Sequence, residues 1–208
     1  MSGHDNGAPF EQPASFTFTP ENMAKAKAYI AKYPPGRQAS AVLSLLYLAQ
    51  DQHDGWVPRA AMDRIAEILQ MPPIKVYEVA SFYTMFNLRP VGRYFLQVCT
   101  TTPCWLRGSD EVVAACKKKL GIGIGETTAD KKFTLFEVEC LGACVNAPVI
   151  QINNGDFYED LDGPATEKLI DALARGEKPP EGSVKGRQGS APEGGPKTLT
   201  SPDLPGIK

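Results

Sequence analysis

Apolar residues recur with a helical period through the first half of the chain. Thr19 is suited to cap a helix that has Pro20 in its first turn, and the pattern predicts that this helix runs to Tyr33, where Pro34-Pro35-Gly36 stops it. Val42, Leu45, Leu46 and Ala49 stand at i, i+3, i+4 and i+7, which predicts an amphipathic helix over 38–52, ended by Asp54-Gly55. Pro58 opens a third helix with Met62, Ile65, Ala66 and Leu69 on one face, and Met71-Pro72-Pro73 breaks it. A fourth, about 73–85, presents Val76, Val79, Ala80 and Tyr83. Four short helices with tight breaks make a small bundle.

The period changes after residue 90. Tyr94 to Cys99 reads as a strand that ends in a cysteine. Ser109 to Leu120 reads as a helix with Val112, Val113, Cys116 and Leu120 inward, and Lys117-Lys118-Lys119 suits the negative end of its dipole. Phe133 to Glu139 alternates and is again followed by a cysteine. Val149 to Ile152 is a short apolar strand, Asn154-Gly155 a hairpin turn, and Phe157-Tyr158 begins the return strand. Thr166 is expected to cap a last helix, Glu167 to Ala174, stopped by Gly176. The order β-α-β-β-β-α is compatible with a thioredoxin-like core. The expected fold class is therefore α+β, a small helical bundle followed by a thioredoxin-like α/β domain.

Four segments follow from these patterns. Residues 1–18 are polar with scattered Phe10, Phe16 and Phe18 and form an extended arm expected to order only against a partner. Residues 19–90 are the bundle and 91–175 the α/β domain. Residues 176–208 hold 13 Gly or Pro and few large apolar side chains, too few to offset the entropy of ordering, so a tail, free or laid on a neighbour, is expected.

Composition narrows the function classes. The chain has a formal net charge of −2, which offers no electrostatic reason for a nucleic-acid partner. The best apolar stretch, Ala41 to Ala49, is interrupted by Ser44 and Tyr47 and falls short of the roughly 20 residues a membrane helix needs, so no membrane insertion is expected. The start Met1-Ser-Gly-His-Asp-Asn-Gly has neither a basic, apolar leader nor an Arg-rich amphipathic stretch. A reducing compartment is expected, and with it cysteines that act as thiols, metal ligands or redox groups rather than disulfides.

All five cysteines fall in the α/β segment. Cys99 and Cys104 are spaced C-x4-C, Cys140 and Cys144 C-x3-C, and both pairs follow predicted strands. If those strands are parallel neighbours, their loops converge and four thiolates meet, an arrangement that calls for a cation. Tetrahedral zinc and an iron–sulfur cluster both fit. C-x4-C is at the loose limit for a zinc knuckle, whereas two pairs on separate loops can each chelate one iron of a [2Fe–2S] cluster. Thr100-Thr101-Thr102 and Leu141-Gly142-Ala143 are small or hydroxylated and let N–H and hydroxyl groups approach sulfur, while Glu137 and Glu139 disfavour an added electron and point to a low potential. Cys116 lies mid-helix and reads as a small buried hydrophobe. Gly121-Ile-Gly-Ile-Gly follows a helix rather than a strand and reads as a connector. There is no C-x-x-C, and neither His4 nor His53 has a nucleophile near it in sequence.

The runs Cys99-Thr-Thr-Thr-Pro-Cys-Trp-Leu-Arg-Gly108 and Glu139-Cys-Leu-Gly-Ala-Cys-Val-Asn-Ala-Pro148 closely resemble the E-type, or 24-kDa, [2Fe–2S] flavoprotein family of NADH-quinone oxidoreductase (respiratory complex I). Tyr33-Pro-Pro-Gly-Arg-Gln-Ala-Ser-Ala-Val, Val79-Ala-Ser-Phe-Tyr-Thr-Met-Phe and Asp156-Phe-Tyr-Glu-Asp-Leu are similar to the same family, so the resemblance spans about residues 16–175. It implies that Cys99, Cys104, Cys140 and Cys144 ligate one low-potential [2Fe–2S] cluster and that this chain does no bond chemistry itself. It further implies a flavoprotein partner carrying FMN, the NADH site and a [4Fe–4S] cluster, and beyond it the other peripheral-arm subunits of complex I. The implied location is the cytoplasmic face of a bacterial inner membrane, or the matrix side in a mitochondrion. Two rivals stay open: the equivalent subunit of an NAD-dependent hydrogenase or formate dehydrogenase, and a zinc-stabilised interaction module.

Overall fold

The computed structural model describes residues 10–189, and the chain divides between Arg93 and Tyr94 into two units. The first is helical: α1 Pro20–Ile30, a 3-10 turn Gln38–Ala41, α2 Val42–Gln52, α3 Arg59–Leu69 and α4 Pro73–Phe82. Thr19 caps α1, its hydroxyl accepting from the Asn22 N–H at 3.2 Å. The helix stops at Ile30 rather than Tyr33 because Lys32 and Tyr33 donate to carbonyls three residues back, the tightening that closes helix ends. The segment expected as one helix over 38–52 starts as the 3-10 turn. α4 ends three residues before the expected 85, since Tyr83 is already extended, and Tyr83 is exposed rather than inward. Leu45, Leu46, Ile65, Leu69 and Val76 are fully buried and form the core.

The arm departs from expectation. Residues 10–18 lie on the chain's own bundle. Phe18 is buried in its core, Phe16 meets Phe18 edge-on at 5.1 Å, and Phe10 meets Trp56 edge-on at 5.5 Å. The Gln52 side chain accepts from the Thr19 N–H and donates to the Thr17 carbonyl, fixing the backbone beside those rings. Aromatic area removed from water here offsets the ordering entropy of the segment. Residues 1–9, with His4, are outside the described residues.

The second unit runs β1 Tyr94–Cys99, α5 Thr102–Leu106, α6 Ser109–Leu120, β2 Phe133–Val138, a 3-10 turn Cys144–Asn146, β3 Ile150–Ile152, β4 Asp156–Glu159, α7 Gly163–Ala174 and β5 Gly182–Ser183. Its sheet has the order β2-β1-β3-β4-β5. β1 and β2 are parallel, from Tyr94 opposite Phe133 to Cys99 opposite Val138, and β1–β3 and β3–β4 are antiparallel. Leu96, Val98, Leu135 and Ile150 from the sheet meet Val112 and Cys116 of α6 and Leu169, Ile170 and Leu173 of α7 in one core. Lys118–Glu167 and Lys119–Asp171 join the two helices at their surface, pairs worth at most about 1 kcal/mol each.

Three local expectations shift. The β3–β4 turn is centred on Asn153 and Asn154, with φ of 52° and 58°, one residue before the expected Asn-Gly. Asn tolerates that left-handed backbone, and both side chains are used: Asn153 accepts from the Phe95 N–H and Asn154 from the Gln97 side chain. α7 begins four residues before the expected helix, capped by Asp162, whose carboxylate accepts from the Ala165 N–H at 2.8 Å; Thr166 is instead buried and donates to the Asp162 carbonyl. Finally, the start of the expected tail belongs to this unit. β5 pairs in parallel with β4, Tyr158 opposite Gly182, and the Tyr158 hydroxyl donates to the Pro179 carbonyl. Residues 190–208 are outside the described residues.

Candidate metal centre

β1 ends at Cys99, and β2 ends at Val138, two residues before Cys140. Because the two strands are parallel neighbours in register, both cysteine-bearing loops leave the same end of the sheet. The sequence condition for convergence is thereby met.

On the first loop, Cys99 is buried and its N–H donates to the Val149 carbonyl at 3.1 Å. The chain then turns into α5, a helix absent from the sequence expectation although Thr102-Pro103 is a serviceable start for one. Cys104 sits on α5, also buried. Cys99 and Cys104 share a small apolar cluster with Ala147 and Val149, flanked by Leu141, Ala143 and Phe157. On the second loop, Cys140 is exposed and its Sγ lies 3.3 Å from Cys144 Sγ, where the 3-10 turn opens. Gly142, at φ 81°, takes a backbone conformation a side chain would resist, and its N–H points at Cys140 Sγ from 3.4 Å. Thr101 lies between the pairs, 3.3 Å from Cys99 Sγ and hydrogen-bonded to Cys140 as well. The expectation that hydroxyl and N–H groups reach the sulfurs is met by Thr101 and Gly142. Cys116 is buried in α6, away from these loops, and burial pushes its thiol up to about 12.

The thiols influence one another. Burial pushes Cys104 up to about 12, helped by its hydrogen bond to Cys99 and by the charge of Cys99 and Cys144. Cys144 is raised by its hydrogen bond to Cys140, by burial, and by the charges of Cys140 and Cys99. Cys140 is lowered, first by the Gly142 N–H and then by Cys144 and Thr101, against the opposing charge of Glu139. The neighbouring sulfurs oppose ionisation of Cys104 and Cys144, and a cation among them would relieve that opposition. The thiols come as two hydrogen-bonded pairs on separate loops, Cys99 with Cys104 and Cys140 with Cys144, a donor set that fits a [2Fe–2S] cluster.

Behind the second loop lies a polar network that sequence reasoning missed. The Asn146 carbonyl accepts from the Asp160 N–H at 2.7 Å, and its side-chain amide donates to Glu159. Asp160 accepts from Ser183 and from Arg187, and Arg187 also donates to the Val145 carbonyl. Asn146 stands inside the cysteine motif and could have been singled out as a polar residue in an otherwise small and apolar run; Asp160 and Arg187 carry no such signal.

The model of the thioredoxin-like [2Fe–2S] ferredoxin family matches residues 26–174. The E-type component of NADH-quinone oxidoreductase from Rickettsia conorii is 58% identical over 159 residues, 76% of this chain and 95% of that one. The mitochondrial NADH dehydrogenase [ubiquinone] flavoprotein 2 of Dictyostelium discoideum is 48% identical over 204 residues, 98% of this chain and 82% of that one. Among solved structures, an NAD+-reducing [NiFe]-hydrogenase in the H2-reduced state shares the fold with a TM-score of 0.58 at 23% identity, over 67% of this chain, which spans 23% of that longer one. No helix among the described residues is long and apolar enough to cross a membrane. With its cysteine pairs on the loops that follow adjoining parallel strands and relatives this similar over most of its length, the chain belongs to the thioredoxin-like [2Fe–2S] ferredoxin family, whose cofactor is a [2Fe–2S] cluster, and within it to the E-type components of NADH-quinone oxidoreductase.

Proposed function

We propose that this chain is the electron-carrier subunit of the NADH dehydrogenase module of a proton-pumping NADH:quinone oxidoreductase. Cys99 and Cys104 hold one iron, Cys140 and Cys144 the other. The observation that carries this reading is the parallel register of β1 and β2, which delivers both loops to one end of the sheet. When bound, the cluster supplies a one-electron store. The protein's part is to hold and shield it: Cys99 and Cys104 anchor it in apolar surroundings, and the Gly142 N–H and Thr101 hydroxyl favour negative charge on sulfur.

The partner is the flavoprotein subunit with FMN, the NADH site and a [4Fe–4S] cluster, within the peripheral arm. Trp105, Leu106 and Val145 are 57%, 71% and 52% exposed directly beside Cys104 and Cys144. An apolar rim at the cysteines suits a partner that must come close enough to exchange an electron. The assembly sits on the cytoplasmic face of a bacterial inner membrane, or on the matrix side in a mitochondrion.

Purified chain is expected to carry iron and acid-labile sulfide in [2Fe–2S] stoichiometry and to give a rhombic EPR signal after dithionite reduction. Alanine, which offers iron no donor atom, at any of the four positions should abolish that signal, while Cys116→Ala should keep it, at a cost of about 1 kcal/mol in stability. Affinity capture from the host should retrieve an FMN protein with the other complex I subunits. Colourless protein holding zinc without sulfide would overturn the cluster, and capture of a hydrogenase or formate dehydrogenase instead would overturn the assembly.

A further inference from the structure

The segment after α7 is strapped to the loop that carries Cys144. β5 lies parallel to β4, and the Val184 N–H continues the pairing by donating to the Glu159 carbonyl at 3.1 Å. Four residues past β5, Arg187 engages the Asp160 carboxylate with both arms of its guanidinium, Nε to Oδ2 at 2.8 Å and Nη2 to Oδ1 at 2.6 Å. The same Nη2 donates to the carbonyl of Val145, the residue that follows Cys144, at 2.8 Å. The Asp160 side chain is wholly enclosed and that of Arg187 is 14% exposed. Asp160 also accepts from Ser183 Oγ at 2.6 Å, so both ends of the strap meet on one carboxylate. The next turn residue, Asn146, is held from the same side: its amide reaches Glu159 at 2.7 Å and the Gln188 carbonyl at 3.4 Å.

A bidentate, charge-assisted pair fixes the geometry of both partners, and enclosure strengthens its electrostatics. Here it grips the peptide unit beside Cys144, which is half-buried. The strap lies beyond residues 26–174, the part that the family's model matches.

We propose that Arg187 is a positioning residue for the metal centre: paired with Asp160, it clamps the Cys144–Asn146 turn and sets where Cys144 Sγ stands. This rests on the reading that the four cysteines hold the cluster. Partners that orient a metal ligand commonly change metal affinity by about 10- to 100-fold when removed.

The test uses the full chain with its cluster, in wild-type, Arg187→Ala, Arg187→Lys and Lys178→Ala forms. Lys178 pairs with Asp156 and Glu181 in the same segment without touching the cysteine loops, so Lys178→Ala loosens the strap's approach and spares the clamp. Iron release to a chelator and the EPR g-values and visible circular dichroism of each protein are compared. Arg187→Ala is expected to release iron about 10-fold faster or more and to shift the spectra. Arg187→Lys, which keeps the charge but not the fork, should fall between it and wild type and gives the answer if the alanine variant does not fold. Lys178→Ala should match wild type. The clamp is overturned if the Arg187 variants release iron and absorb as wild type does, or if Lys178→Ala has the same effect as they have. A wild-type chain that takes up no cluster overturns the ligand assignment itself, a result distinct from normal loading with indifferent variants.

Discussion

Asp160 is pulled in two directions. Burial raises its pKa, while hydrogen bonds from Arg187 and Ser183 and the charges of Arg187 and Lys185 lower it, and the net shift is downward. A carboxylate whose folded pKa lies below its unfolded value of about 3.9 contributes its stabilisation above that value and loses it as pH falls through the lower, folded one. Asp160→Asn is expected to cost about 3 kcal/mol at pH 7, since it leaves Arg187 without its counter-charge. The gap to wild type should close progressively below about pH 4, where the wild-type carboxylate also becomes neutral. Thermal melts of both proteins from neutral to acid pH check this, and a gap that stays constant would contradict it. Asp160 also holds a φ of 57°, a backbone conformation maintained by the bond from its N–H to the Asn146 carbonyl.

Single contacts of this kind decide where elements begin. The apolar period predicts a helix from Glu167 with Thr166 as its cap. In the structure the helix starts at Gly163, where Asp162 caps it and Pro164 occupies its first turn. Both residues can cap in isolation, and the one whose side chain meets the free N–H groups wins. Asp162→Ala should therefore destabilise the α/β unit by about 1 kcal/mol, read as a melting temperature lower by about 5 °C in a unit of this size. α5 teaches the same lesson from the other side. It has five residues, too few for a period to be legible, and its place is set by Cys104 packing into the cluster with Cys99, Ala147 and Val149.

Across the whole molecule, two separate cores predict two separable stabilities. Leu45 is fully buried in the helical unit, whereas the cysteine loops belong to the α/β unit. Leu45→Ala is expected to cost about 2–5 kcal/mol by the cavity it leaves. Far-UV circular dichroism should show the helical unit melting earlier, with the visible signal of the cluster lost at the wild-type temperature. Coincident loss of both signals in the variant would show the units to be one cooperative body.

What the amino-acid sequence determined by itself is whatever rests on neighbours along the chain. Helix spacing, Pro and Gly breaks, alternation in Phe133–Val138 and the two cysteine pairs at strand ends are all local, and they suffice to expect four thiols at one place. Tertiary structure decided the rest. Only the parallel pairing of β1 with β2 makes the loops meet. Arg187 finds Val145 across 42 positions and Asp160 across 27, out of a Gly- and Pro-rich segment that looks unable to order itself. Burying a charge is unfavourable until its counterpart is in place, and that partner has no fixed spacing in the chain, so such a pair leaves no periodic trace to read.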